Sequence, residues 1–238
     1  MFGKKGIILI VLLIIGFEGF KYSNNEEIVF KKPQNILADL STMKKFISNE
    51  IKETFDHKLQ FFSQAPTGDW SLPYQEACEE SSIILAMNYI LNRTMTLDEF
   101  HEELLKIVNF EKENFGYYED TSVSKTNEII NTFYNYKNTE IVSNANINTI
   151  KKILNNEGIV IVPLAGRNIG NPYYNPPGPY YHMLVIKGYD EQNFITHDVG
   201  TKKGENFKYR YDVLIDNIHD FNPQFIERGE NRIIAVYK

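Results

Sequence analysis

A single cysteine stands among 238 residues. Cys78 lies where a loop punctuated by Pro66, Gly68 and Pro73 gives way to CEESSIILAMNYIL, which is apolar nearly all round from Ile83 onward. That pattern predicts a buried helix from about Cys78 to Leu91. A thiol in the first turn of such a helix sits where free N–H groups and the helix dipole favour the thiolate, the nucleophilic form. The chemistry implied is nucleophilic acyl transfer. It also demands a base within hydrogen-bond reach of the thiol, a group to orient that base, and donors for a developing oxyanion.

Five histidines could be the base. His101 falls in a helix full of charges and reads as part of a solvated face. His219 falls at a helix C-terminus, where the dipole alone favours a histidine. His57 precedes the first strand among charged residues. His182 is different: it opens the strand HMLVIKGYD directly after the loop NPYYNPPGPYY, and sites tend to lie at strand ends beneath loops. The segment NFITHD runs back from a turn, and a hairpin centred on Asp190 places His182 opposite Asp198 on one face of the sheet. The same parity sends His197 to the other face; a slip of one residue would instead bring His197 or Val199 opposite. The bland alternative is a His–Asp pair that only pins the hairpin. A zinc site from His182, His197 and Asp198 is disfavoured because positions 197 and 198 face opposite ways. No metal or other cofactor is needed. For the oxyanion, the Cys78 N–H is one donor; Gln64 and Gln75 are both possible side-chain donors, and spacing does not choose between them.

These residues need elements to carry them. His57 to Ser63 reads as a short strand, followed by the loop Gln64 to Ala77 with Trp70 on it. After the Cys78 helix comes a second over Thr96 to Val108, with Thr96 and Glu99 at capping-box spacing. A third runs over Ser122 to Tyr134 and a fourth over Asn148 to Asn155, ended by Asn156 and Gly158. Strands follow at Ile159 to Leu164, Met183 to Lys187, Phe194 to Thr196, Phe207 to Tyr211 and Ile233 to Tyr237, with a short helix at Asp212 to His219. Helices first and sheet second is an α+β order, with the helices packed on an antiparallel sheet. The loop from Gly170 to Tyr181 carries four prolines and four tyrosines. With Trp70, its residues Tyr180 and Tyr181 are candidates for the wall of a substrate groove. A Pro-rich surface loop packed on its own tyrosines is the plainer reading.

Composition narrows the setting. A hydrophobic fraction of 42%, with 16 Phe and 15 Tyr, is enough for a full core. A formal net charge of -6 argues against a nucleic-acid partner. Lys4 and Lys5 precede an uncharged run from Gly6 to Phe17 that would span roughly 18 Å as a helix, short of a bilayer core. Residues 1–21 therefore read as a signal peptide or, since Phe17, Glu18 and Phe20 crowd the cleavage region, an uncleaved membrane anchor. Both readings imply export, either secreted or membrane-anchored facing outside. Residues 22–56 read as a linker and a helix over 35–53, and residues 57–238 as the functional domain. In an exported chain a lone thiol is buried and inert, paired with another molecule, or functional.

The blocks FFSQAPTGDW, YQEACEESSIILAMNYIL and YYHMLVIKGYDEQNFITHDVGT, in that order, resemble the C39-like cysteine peptidases, a branch of the papain-like fold. The resemblance covers about three quarters of the chain. It implies that Gln64 in SQAP is the oxyanion glutamine, Cys78 the nucleophile, His182 the base and Asp198 its orienting acid. Many members carry Cys-Gly-Pro at the nucleophile, whereas this chain has Cys78-Glu79-Glu80, read as first-turn acids facing water or capping a neighbour. The expected activity is a monomeric cysteine-dependent hydrolase that cleaves amide bonds in a peptide or protein substrate. A cell-wall amidopeptidase or other acyl-transfer enzyme with the same triad, and a non-catalytic surface binding domain that keeps the fold, are the alternatives.

Overall fold

The computed structural model describes residues 51–238. The apolar N-terminal segment and most of the helix expected over 35–53 lie outside the described residues; Ile51 to Glu53 are not helical. Among the described residues, no helix is long and apolar enough to cross a membrane.

The chain runs through β1 (Phe55–Asp56), α1 (Cys78–Ile90), α2 (Leu97–Asn114), α3 (Val123–Phe133), β2 (Thr139–Ser143), α4 (Ile147–Asn155), β3 (Ile159–Leu164), β4 (His182–Tyr189), β5 (Asn193–His197), β6 (Phe207–Arg210), α5 (Tyr211–Asp216) and β7 (Arg232–Val236). The strands form one antiparallel sheet in the order β2-β7-β3-β4-β5-β6. The two-residue β1 pairs with the far end of β4, Phe55 with Tyr189 and Asp56 with Gly188.

Strand alternation produces two cores, one on each face of the sheet. Ile161, Met183, Val185 and Ile234 face α1, α2 and α3 through Ile83, Leu104 and Ile130. Val162, Leu184, Ile186 and Ile233 face α4 and α5 through Ile153 and Leu214. Helix α1 is sunk in the first core, and every residue of it but Tyr89 is buried. Such a helix cannot be amphipathic, which is why its sequence is apolar nearly all round.

The expected elements hold with four corrections. Residues 57–63 are not a strand: after Asp56 only the His57 N–H still bonds β4, at the Lys187 carbonyl, and Phe61 and Phe62 instead pack their rings against the first core. Strand β2 carries no clear signal in the sequence: TEIVS is short, alternates weakly and lies at the sheet edge. Helix α2 continues past Val108 to Asn114, its start fixed by the complete Thr96–Glu99 capping box. Helix α5 begins at Tyr211 and stops at Asp216, so His219 lies beyond it.

Candidate active site

The β4–β5 hairpin brings His182 and Asp198 together, by a register that differs from the expected one. Val185 faces His197 and Ile186 faces Thr196, a shift of two residues, so His182 stands level with Gly200. A shift of two preserves the face, and the imidazole still reaches the carboxylate diagonally. The hairpin turns on Glu191 and Gln192, with Asp190 Oδ1 accepting from the N–H groups of Gln192 and Asn193. A bulge at Lys187 then corrects the count before the site is reached. The bulged lysine is buried and ion-paired to Asp56, and it also donates to Asn206. Gly188 beside it is required by close approach, since a Cβ there would stand 2.5 Å from the Phe55 carbonyl oxygen.

His182 Nε2 lies 2.9 Å from Asp198 Oδ1, with both side chains buried. Burial opposes the Asp198 charge, but His182 and the tyrosine hydroxyls around it outweigh burial and hold this carboxyl below its ordinary range. An ionised carboxylate only accepts, so Nε2 carries the hydrogen and Nδ1 is the ring atom available to a proton from elsewhere.

Cys78 opens α1 as expected, and its N–H at the first helical position has no intrahelical partner. Its Sγ accepts from the N–H of Met183 at 3.4 Å, the peptide group joined directly to His182. The thiol thus meets β4 one residue from the base. No hydrogen bond joins it to the imidazole; Sγ instead donates to Glu79 Oε2 at 3.0 Å. Burial pushes the Cys78 thiol well up, and the Glu79 carboxyl pushes it further. This corrects the reading of Glu79 and Glu80 as solvated acids: they are 1% and 0% exposed. Burial raises both carboxyls well above their ordinary range, with Glu80 adding to the effect on Glu79.

Gln64 is buried and next to the site, because its N–H bonds the carbonyl of Val199, the residue after Asp198. Its amide nitrogen donates to the carbonyls of Tyr74 and Gln75, both at 2.9 Å. Gln64 therefore clamps the segment that delivers Cys78, and its two N–H hydrogens are taken in this state. Gln75 is exposed and turned to Glu76. Of the groove candidates, Trp70 is 37% exposed on its loop. Tyr180 is half-buried and donates to the Asn222 carbonyl. Tyr181 is buried and donates to the Thr121 carbonyl, so it forms part of the core beside the thiol and not an open wall. A surface depression of 660 Å³ lies elsewhere, beside Gln192 and Tyr211, and includes none of these residues.

A model of the peptidase C39-like family matches residues 57–230, which span all of these positions. The chain belongs to the peptidase C39-like family. A crystal structure from Bacillus anthracis assigned to the C39-like peptidases shares the fold: the TM-score is 0.54 at 14% identity, over 79% of this chain and 98% of that one. No curated protein matches the sequence. The helices and antiparallel sheet of this C39-like chain are thus an α+β, papain-like architecture.

The other histidines of the C39-like domain bond groups other than Cys78 and Asp198. His197 lies on the opposite face from Asp198, as its parity requires. Its Nδ1 accepts from the Asn206 N–H and its Nε2 donates to the Leu59 carbonyl. Burial pulls its pKa down to about 4, so it stays neutral. His57 is likewise buried, between Tyr89 and the carbonyls of Leu154 and Gly158, and burial lowers its pKa. His101 is not a free solvated side chain; it is half-buried and bonded to Tyr74 at 2.5 Å. His219 meets the Gly229 carbonyl. Among the described residues, no group of three or more His, Cys, Asp or Glu side chains is arranged to hold a metal ion.

One feature of the domain had no sequence signal. Glu80 on α1 and Glu111 on α2 are both fully buried, and among the described residues none of their carboxyl oxygens has a hydrogen-bond partner. Neighbouring carboxyls taken out of water resist ionising, and each resists more when the other is charged. Burial pushes Glu111 up to about 8.

Proposed function

We propose that this C39-like protein is a cysteine peptidase, with Cys78 as nucleophile, His182 as base and Asp198 as the group that orients the base. The observation that supports this most is the contact of the Cys78 thiol with the peptide N–H next to a buried His182–Asp198 pair. A thiol that merely filled space would need neither the helix terminus nor that pair.

In the proposed reaction Sγ turns about the Cα–Cβ bond away from Glu79 and gives its proton to His182 Nδ1, leaving a thiolate and an imidazolium. The thiolate adds to the amide carbonyl carbon. The oxyanion is held by the Cys78 N–H and by Gln64, once Gln64 releases the carbonyl of Tyr74 or Gln75. His182 gives its proton to the leaving nitrogen as the C–N bond breaks, leaving a thioester. Water, deprotonated by His182, then attacks the thioester, releasing a carboxylic acid and restoring the thiol. Asp198 keeps the ring in the tautomer that leaves Nδ1 free. The substrate class we assign is a peptide or protein met outside the cell, after export directed by residues 1–21.

The test is cleavage of an unfolded protein and of isolated peptidoglycan by purified full chain, each followed by mass spectrometry. Cleaved peptide bonds that vanish with Cys78→Ala carry the reading. Amide cleavage confined to peptidoglycan would transfer the same triad to cell-wall substrates. Cleavage that survives Cys78→Ala, or none on either substrate, would overturn it.

A further inference from the structure

The Pro- and Tyr-rich loop between β3 and β4 reaches the back of the candidate triad. Asn171 is buried on this loop, and its Nδ2 donates to Asp198 Oδ2 at 2.9 Å. Tyr174, on the same loop, donates its hydroxyl to the same oxygen at 2.7 Å. Tyr209 of β6 donates to it at 2.5 Å, and Asn171 Nδ2 also reaches the Tyr209 hydroxyl at 2.8 Å. The other oxygen, Oδ1, takes His182 Nε2 and the Gly200 N–H, the latter at 3.0 Å. Asp198 thus accepts from five donors and is fully buried. Two carboxylate oxygens offer about four lone-pair sites, so the group is saturated. The Tyr174 ring also stands edge-on to the His182 ring, with centroids 5.5 Å apart and planes at 76°.

A His–Asp pair that only pinned a hairpin would need no such cage; phenylalanine at 174 and 209 would fill the same space. Hydroxyls aimed at one carboxylate oxygen fix its direction and hold it ionised without supplying a competing cation. We propose that Asn171, Tyr174 and Tyr209 are positioning residues that fix the Asp198 carboxylate and, through it, the orientation of the His182 imidazole. The loop is then a strap on the acid of the triad and not a wall of the groove. This inference deepens the cysteine-peptidase reading and rests on it for its catalytic consequence, but not for its geometry.

The experiment compares Tyr174→Phe, Tyr209→Phe and the control Tyr180→Phe, whose hydroxyl lies on the same loop and bonds Asn222 instead. The first readout is the carboxyl ¹³C resonance of Asp198 followed as pH is lowered. In the unaltered protein it keeps its ionised shift toward acid unfolding. In Tyr174→Phe and Tyr209→Phe it starts to move about one pH unit higher, because a donor to the charged form is gone. Tyr180→Phe leaves it in place. The second readout is peptide cleavage, where kcat falls several-fold and KM holds in the first two variants. The two target variants sit on different elements, so either one decides the matter if the other fails to fold. An Asp198 onset that does not move in a folded variant overturns the strap, even if the melting temperature drops. If the unaltered protein cleaves nothing, the peptidase reading fails, and the Asp198 titration still decides this one.

Discussion

Cys78 Sγ and Glu79 Oε2 lie 3.0 Å apart, so the one thiol of the chain donates to the carboxyl of its neighbour in sequence. The candidate nucleophile rests against an acid, one peptide group away from the candidate base. That arrangement makes the neutral thiol the resting state and gives Glu79 a direct hold on its reactivity.

Replacing Glu79 by Gln removes the carboxyl that accepts from the thiol and that opposes the thiolate when ionised, and leaves an amide able to donate to the thiolate. Alkylation of Cys78 by iodoacetamide at pH 7 should therefore accelerate, by about threefold or more. A rate equal to or below that of the unaltered protein would show that Glu79 does not restrain the thiol.

The Glu80–Glu111 pair predicts an unusual pH dependence of stability. The folded-state pKa of Glu111, about 8, lies above the ordinary carboxylate value, so the folded protein holds an extra proton between about pH 4.5 and 8. Stability contributed by the protonated pair is complete below that window and is lost as pH rises through it. Glu111→Gln should flatten the fall and leave the variant more stable than the unaltered protein at pH 8, on the order of 1–3 kcal/mol. Denaturant unfolding at pH 5 and pH 8 reads this directly; the same difference between the two proteins at both pH values would contradict it.

Two glycines separate the site from the fold. A Cβ on Gly200 would stand 2.8 Å from His182 Cε1 and 3.2 Å from Tyr174 Cε1, and the His182 ring is held by Asp198 and cannot swing away freely. Gly200→Ala should lower kcat/KM by about tenfold or more, at a stability cost of about 1–3 kcal/mol. A Cβ on Gly204 would meet the Asp198 carbonyl oxygen at 1.7 Å, a backbone clash that only a local rearrangement relieves. Gly204→Ala should therefore be the more destabilised of the two in thermal melts. The reverse order would place the strain elsewhere.

The placement of His182, Asp198 and Cys78 close to one another is legible in the sequence because the cues are local. A breaker-rich loop before an apolar helix, and a histidine opening a strand with an acid of matching parity across the turn, survive errors in detail. The hairpin register was two residues off, yet the pairing survived because side chains alternate with a period of two. The turn and the Lys187 bulge set the true register, and a bulge depends on the lysine finding Asp56 across β1, which no local pattern announces. The burial of Glu79 and Glu80 was not legible for a related reason. First-turn acids usually face water, and here the whole first turn of α1 is buried by tertiary packing that no local pattern announces. Gln64 lies beside the candidate site, but its engagement with Tyr74 and Gln75 depends on how the loop folds back.

His197 offers a contrast with His182. Both are buried, but His197 bonds only backbone groups of the segment before the loop and of the β5–β6 connection. His197→Ala should cost about 2–4 kcal/mol of stability through a cavity and two lost hydrogen bonds. Peptide cleavage measured well below the melting temperature should stay within about twofold of the unaltered value. Abolished cleavage in a folded His197→Ala protein would move the base to the other face of the sheet.

The central claim is that His182 draws the proton from Cys78, and thiol reactivity reads it without knowledge of the substrate. Alkylation of Cys78 by iodoacetamide is measured from pH 5 to pH 10 in the unaltered protein and in His182→Ala. The account predicts a rate at pH 6 at least about tenfold lower in His182→Ala, recovering only toward or above the ordinary thiol pKa of about 8.5. Equal rates in the two proteins at pH 6 would contradict it.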